Sequence, residues 1–88
     1  MTRMQDRFTE KQGQYLAFID SYMTMHGRAP AEADLQRFFR TTPPTVHQMI
    51  LKLEEKGLIS RVPGEARSIK LLVAPDEIPR LKRPEGNG

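Results

Sequence analysis

The chain has 88 residues, of which 38% are hydrophobic and none is cysteine. This length supports one compact domain and leaves no room for a second, and without cysteine the fold must depend on apolar packing. Residues 1–8 lack the apolar run of a secretion signal, and no stretch approaches the roughly 18 apolar residues of a membrane span. The composition therefore predicts a protein of the reducing cytoplasm with no membrane association.

The formal net charge of +3 is unevenly distributed along the chain. Residues 1–39 contain five basic and five acidic side chains, and residues 71–88 contain three of each. Residues 40–70 contain six basic and three acidic side chains, so the whole excess lies there. A local positive excess is more informative than a small total charge, and it points to this segment as the place where a phosphate backbone would bind.

Two helices are predicted in the first half of the chain. Thr9 and Gln12 have the spacing of a capping box, so a first helix is expected to begin there and to end at Gly27, which can adopt the left-handed conformation. A second helix is expected with Pro30 in its first turn and with acidic residues near its positive end. The aromatic residues of these helices fall on their apolar sides and are assigned to the core.

A third helix and a hairpin are predicted to follow. Thr42 has the properties of an N-cap, Pro43 suits the first helical position, and Gly57 can end the helix after Lys56. From residue 58 the apolar period changes from 3.6 to two, which predicts strands over 58–62 and 68–73 joined by a turn-rich loop that carries Arg67.

Three helices followed by a hairpin, with the second and third helices in a tight pair, make up a winged helix-turn-helix layout. We therefore predict a mainly α fold with a small β-hairpin, in which a three-helix bundle carries a wing. The predicted divisions are a flexible N-terminus over 1–8, the folded domain over 9–73, and a Pro- and Gly-containing tail over 74–88 without a regular element.

The run FFRTTPPTVHQMILKLEEKGLISR (38–61), with HGRAPAEADL before it and ARSIKLL after it, resembles the LexA repressor DNA-binding domain family. The similarity covers about residues 9–73. It implies that the third helix enters a DNA major groove, that the hairpin with Arg67 is the wing, and that the recognition surface contains Thr42, Pro44, Thr45, His47 and Gln48. The self-cleaving domain that follows in LexA lies outside the resemblance, so self-cleavage is not expected of these residues.

The helical repeat gives an independent test of this surface. Val46, Ile50 and Leu53 share one face of the third helix, and Thr45, Gln48 and Lys52 share the opposite face. A glutamine amide suits adenine, a threonine can contact a base edge, and basic side chains suit phosphate. The predicted DNA-contacting set is Thr42, Pro44, Thr45, His47, Gln48, Lys52, Arg61 and Arg67.

Other interpretations remain open for these residues. The polar face could be an ordinary solvated surface, and the winged fold could serve as a protein–protein interaction module that uses Leu51, or as a structural subunit tethered by its tail. His47 lacks the helical ligand spacing of a metal site, and no serine has an evident base and orienting acid, so neither a metal, a cofactor nor an enzymatic activity is predicted. A homodimer on double-stranded DNA is expected, because one small domain offers few base contacts.

Overall fold

The computed structural model describes residues 7–84, and its architecture is the predicted three-helix bundle with a two-stranded antiparallel hairpin. The elements in chain order are α1 (Glu10–His26), α2 (Glu32–Phe39), α3 (Pro43–Glu55), β1 (Ile59–Ser60), β2 (Lys70–Leu71) and a 3-10 helix (Pro75–Glu77). No helix within this part of the chain is both long and apolar enough to cross a bilayer.

Both predicted ends of α1 are confirmed. The Thr9 hydroxyl accepts the Gln12 backbone N–H at 3.1 Å, and the Gln12 side-chain oxygen accepts the Thr9 N–H at 2.9 Å. This reciprocal pair satisfies two backbone donors that the first helical turn would otherwise leave unpaired. Gly27 ends the helix with φ 70°, the left-handed conformation that a glycine adopts without steric cost.

The start of α2 differs from the prediction. Pro30 is fully buried and lies ahead of the helix, whereas Ala31 is the N-cap. Ala31 has no side-chain acceptor, so Asp34 supplies the capping group by accepting the Ala31 N–H at 2.8 Å. The helix ends at Arg40, whose φ of 54° turns the chain sharply into α3. Only Arg40 and Thr41 therefore separate α2 from Thr42, the N-cap of α3, as the sequence predicts.

The core joins one side of each helix to the base of the hairpin. Its most buried members, all at most 1% exposed, are Leu16, Ile19, Leu35, Val46, Ile50, Leu53, Leu58 and Ile59. Each fully buried aliphatic side chain of this kind contributes about 1.5–3 kcal/mol relative to an exposed position. Aromatic rings extend this core, with Tyr15 stacked on Phe39 at a centroid distance of 4.2 Å. Three buried side chains on α3 fix which of its faces meets solvent.

The hairpin is shorter than predicted, because only two residue pairs form its ladder, Ile59 with Leu71 and Ser60 with Lys70. Beyond them the Ser68 hydroxyl accepts the Val62 N–H at 2.9 Å and donates to the Val62 carbonyl at 3.2 Å. One side chain thus occupies the backbone groups that a further ladder pair would use. Pro63, which has no N–H, follows directly.

The residues on either side of the predicted domain pack against it. On the N-terminal side Phe8 is a buried core residue, and on the C-terminal side Ile78 and Leu81 pack against the core. The expectation of a tail without a regular element is corrected by the 3-10 helix and by the contacts of Gln14, which donates to the Arg80 carbonyl at 3.0 Å and accepts the Lys82 N–H at 2.8 Å. The cause is Gln14, a polar α1 residue that supplies the tail backbone with partners. The expectations for residues 1–6 and 85–88 lie outside the described residues.

Candidate nucleic-acid interface

The N-terminus of α3 is exposed and capped by hydroxyl groups. The Thr42 oxygen accepts the Thr45 backbone N–H at 3.4 Å and lies 2.9 Å from the Thr45 hydroxyl oxygen. Pro43 and Pro44 occupy the next two positions, and both are exposed. Proline has no N–H to leave unpaired, so the helix can begin abruptly at the surface. The first turn therefore projects with a defined conformation and the positive end of the helix dipole outward.

The two faces of α3 separate as the helical repeat predicts. Val46, Ile50 and Leu53 are 0% exposed, whereas Thr45, Gln48 and Lys52 are exposed. The Gln48 amide forms no side-chain hydrogen bond with the residues described, so its donor and acceptor groups face solvent together. Such a bidentate amide on a core-anchored helix can form the paired hydrogen bonds that adenine presents in the major groove.

His47 lies nearer to solvent than its boundary position on the helix predicts, with 48% of its side chain exposed. Its Nδ1 atom lies 3.2 Å from a carboxylate oxygen of Glu32, the first residue of α2. The pair joins the start of α2 to the first turns of α3. Glu32 consequently places a negative charge beside the predicted recognition surface.

Two further basic residues of the predicted site form ion pairs within the molecule. Lys52 lies 3.5 Å from Glu55 with both side chains more than half exposed, and such a solvated pair contributes little to stability. Arg61 donates from Nε to Glu54 at 3.1 Å and is only 16% exposed. Arg61 is therefore more sheltered than the hairpin sequence predicts, because it lies against the end of α3.

Arg67 is directed back toward the helices. Its Nη1 atom donates to the Tyr22 hydroxyl at 3.0 Å and to the Ala29 carbonyl at 3.2 Å, and it lies 3.1 Å from Asp34 Oδ2. These partners belong to α1, to the α1–α2 connection and to α2. A third of the Arg67 side chain remains exposed. Sequence reasoning missed Tyr22 and Asp34, which are at least 33 positions away along the chain.

The Asp34 carboxyl is held in its charged form. Burial raises its pKa, but the Ala31 N–H, the Arg67 charge, a Tyr22 hydrogen bond and Arg37 together outweigh that effect. The pKa of Asp34 consequently lies below its ordinary value. Asp34 is thus an ionised acceptor that caps α2 and contacts the wing at the same time.

A cleft of about 330 Å³ separates the wing from the two helices of the helix-turn-helix pair. Its walls include Pro30, Glu32, His47, Arg61 and Arg67. The structure thus brings three predicted site residues, His47, Arg61 and Arg67, to one opening. Within residues 7–84 no three side chains of the metal-binding types converge. The cleft is bounded by both acidic and basic groups and continues the exposed face of α3.

Comparison with known proteins adds to this geometry. The family model described as the LexA DNA binding domain matches residues 4–68. The LexA repressor of Thermosipho africanus is 39% identical over 70 residues, which are 80% of this chain and 35% of the relative. That of Thermosipho melanesiensis is 38% identical over 72 residues, 82% of this chain and 36% of the relative. That of Thermotoga maritima is 33% identical over 63 residues, 72% and 32% respectively.

The chain spans about a third of the length of these curated relatives, and the match falls on the helices and wing described above. Similarity of this extent reaches from residues ahead of α1 through α2, α3 and the wing loop. The chain therefore belongs to the LexA DNA-binding domain family.

Proposed function

We propose that this domain binds double-stranded DNA sequence-specifically and serves a transcriptional regulator, with α3 in the major groove and the wing against the neighbouring backbone. One observation carries the proposal: α3 has a fully buried face and an exposed polar face that includes a free glutamine amide. A helix seated in this way can be inserted into a groove without any loss of core packing. The family assignment supports a DNA-binding role, and it gives no support for a catalytic step in these residues.

Within this proposal the residues of α3 divide by position. Thr45 and Gln48, near the N-terminus, contact base edges, and Thr42, Pro44 and His47 lie at the rim beside them. Lys52 lies farther along α3 and Arg61 directly follows β1, and both contact phosphate. Arg67 belongs to the interface through the wing that carries it. Base contacts give selectivity, and phosphate contacts give affinity and register.

The ion pairs on this surface affect how binding depends on salt. When DNA binds, Lys52 must exchange Glu55 for phosphate and Arg61 must exchange Glu54 for phosphate, or each must contact phosphate and its carboxylate at the same time. Duplex DNA offers a high density of negative charge, and the exposed Lys52–Glu55 pair is weak, so the exchange is favourable for Lys52. With four to six phosphate contacts we expect a log–log slope of affinity against salt of roughly −4 to −5.

The decisive experiment is selection of bound duplexes from a random DNA pool, followed by titration of the selected duplex and a scrambled duplex at several salt concentrations. We expect enrichment of a defined sequence, with the scrambled duplex bound at least about a thousandfold more weakly. The absence of measurable duplex binding at low salt would contradict the proposal.

We further propose that two copies bind one inverted repeat in the reducing cytoplasm, because a single α3 offers few base contacts and selectivity then requires two half-sites. The selected sequences test this directly, since a dimer gives two half-sites one helical turn apart. A single half-site that is saturated by one copy would show monomeric binding.

A second candidate function is a protein–protein interaction module. It is favoured by Leu51, an apolar α3 residue that is 37% exposed on the flank of the polar face. Salt-insensitive binding to a protein that Leu51→Asp abolishes would support it. Salt-sensitive DNA binding that survives Leu51→Asp would instead support the DNA proposal.

A further inference from the structure

The base of the wing is anchored in the core by Ile59 and Ile69, but the wing has few further contacts to hold its loop in place. Its ladder contains two residue pairs, and beyond them Ser68 and Val62 exchange two hydrogen bonds. A two-stranded ribbon of this size is not stable by itself in water. The loop over 63–67 is exposed. Apolar burial thus fixes the base of the hairpin, and the position of the exposed loop over α3 depends on contacts between the loop and the helices.

Arg67 supplies those contacts. One guanidinium nitrogen contacts Tyr22 on α1, the Ala29 carbonyl and Asp34 on α2, all within 3.2 Å. The guanidinium carbon also lies 5.8 Å from the centre of the Tyr22 ring, within the range of a cation–π interaction. A single side-chain nitrogen of Arg67 thereby joins α1, the α1–α2 connection and α2.

These contacts explain why Arg67 keeps an unfavourable backbone conformation. Its φ is 58°, in the left-handed region, where a residue with a Cβ atom is less stable by about 1–2 kcal/mol. A non-glycine residue keeps such a conformation only when its surroundings determine it. The side-chain contacts of Arg67 hold its backbone in this conformation, because the partners lie on or between the helices and not in the loop.

We propose that Arg67 is a positioning residue, which fixes the angle of the wing against the helix-turn-helix pair by binding Asp34 and Tyr22, and which acts on DNA through that angle. The proposal rests on the DNA-binding function proposed above. We call the cluster of Arg67, Asp34 and Tyr22 the wing clamp. The proposal also assigns Asp34, an acidic residue, a favourable role in DNA binding.

The sign of the Asp34 effect distinguishes a clamp from a phosphate contact. If Arg67 simply bound phosphate, removal of the Asp34 charge would leave the affinity unchanged or raise it, since DNA is an anion. If the clamp orients the wing, Asp34→Asn lowers the affinity as Arg67→Gln does. Asparagine retains an oxygen that can accept the Ala31 N–H, so the cap on α2 is kept while the charge is lost.

The test measures affinity for the selected duplex with Arg67→Gln, Asp34→Asn and the double variant. Lys70→Gln serves as the matched control, because Lys70 is an exposed cation on the same hairpin without an ion pair to the described residues. We expect each clamp variant to bind roughly five- to tenfold more weakly, and the double variant to bind no more weakly than either single one. The salt slope of Arg67→Gln should equal that of the unaltered protein.

Tyr22→Phe provides a milder second variant, since it removes the hydroxyl and keeps the ring that packs on Phe18. We expect it to weaken binding in the same direction. Tight binding by Asp34→Asn, additive losses in the double variant, or a salt slope that falls by about one in Arg67→Gln would overturn the proposal.

A measurement without DNA separates failure of the clamp from failure of the proposed function. In amide NMR spectra of the free proteins, Asp34→Asn and Arg67→Gln should shift the same amide signals within residues 62–69 relative to the unaltered protein. The amide signals of α3 should not change. Wing amides that do not respond to Asp34→Asn would refute the clamp even if DNA binds. Wing amides that respond in a protein that binds no duplex would support the clamp and refute the DNA function.

Discussion

The exposed face of α3 and the wing are the two surfaces proposed to meet DNA, and they are held in place by different kinds of interaction. Three fully buried aliphatic side chains, Val46, Ile50 and Leu53, hold α3. The base of the wing is also buried, through Ile59 and Ile69, whereas its loop is held by polar contacts of Arg67. Apolar burial involves no charge for salt to screen or acid to titrate, whereas charged contacts respond to both. The exposed face of α3 should therefore keep its position under changes of salt or pH that move the loop of the wing.

The largest effect that tests this comparison is on stability. Leu53→Ala removes a fully buried side chain beneath α3, and we expect it to lower the free energy of unfolding by about 2–5 kcal/mol. Leu51→Ala, in the same helix, should change it by less than about 1 kcal/mol because Leu51 is 37% exposed. Urea unfolding of both variants measures the difference. Equal losses would mean that the two flanks of α3 are not distinct.

Effects on DNA binding come next in size. Gln48→Ala should cost about 1–3 kcal/mol on the selected duplex and little on a scrambled one, because only a base contact is lost. Lys52→Ala should weaken both duplexes alike and reduce the salt slope by about one. Titration by fluorescence anisotropy gives both quantities. If Gln48→Ala weakened both duplexes equally, α3 would not be the reading element.

Acid should affect the wing before it affects α3. The pKa of folded Asp34 lies below its ordinary value of 3.8, so its contribution to stability is present above that pH and disappears as the pH falls through the folded pKa. We expect unaltered protein to lose more stability below about pH 4 than Asp34→Asn, as measured by urea unfolding at each pH. Parallel pH profiles for the two proteins would show that Asp34 is not stabilised in its charged form.

The smallest effect concerns the cap on α2. Ala31→Ser adds an acceptor at an N-cap that has none, and we expect it to raise the free energy of unfolding by about 0.5–1 kcal/mol. The serine hydroxyl would accept the Asp34 backbone N–H, while the Asp34 carboxylate continues to accept the N–H of residue 31. The added cap does not depend on the Asp34 charge, so Asp34→Asn in this background should still weaken DNA binding. Calorimetric unfolding and duplex titration give the two readouts.

Much of the fold could be predicted because the signals are local. Thr9 with Gln12, Gly27, Thr42 with Pro43, and Gly57 each predict a helix end from neighbouring residues, and the helical repeat separates the faces of α3. Pro30 was wrongly predicted to lie in the first turn of α2, because the N-cap that follows it, Ala31, has no side-chain acceptor and Asp34 supplies the capping group. A cap supplied from within the helix leaves a weaker signal than a serine or threonine.

The candidate site could be predicted only in part, because charge pairing depends on tertiary structure. The positive excess of residues 40–70 predicts a basic surface, but a count cannot show that Arg61 is paired with Glu54 or that Arg67 is paired with Asp34. Arg67 and Asp34 lie on different elements, and only the folding of the hairpin onto the helices brings them together. Their pairing has no periodicity and no fixed spacing in the sequence.

Gly13 has a topological consequence for engineering this domain. A Cβ atom there would lie 3.0 Å from both Phe8 and Pro79, so the absence of a side chain allows both residues to pack at one point on α1. Arg7 and Glu77 also form an ion pair of 2.7 Å beside them. The two ends of the folded region thus converge, and a short glycine-rich linker could join them. New termini could then be opened in the wing loop, which would give a circular permutant that retains α3 while releasing the wing.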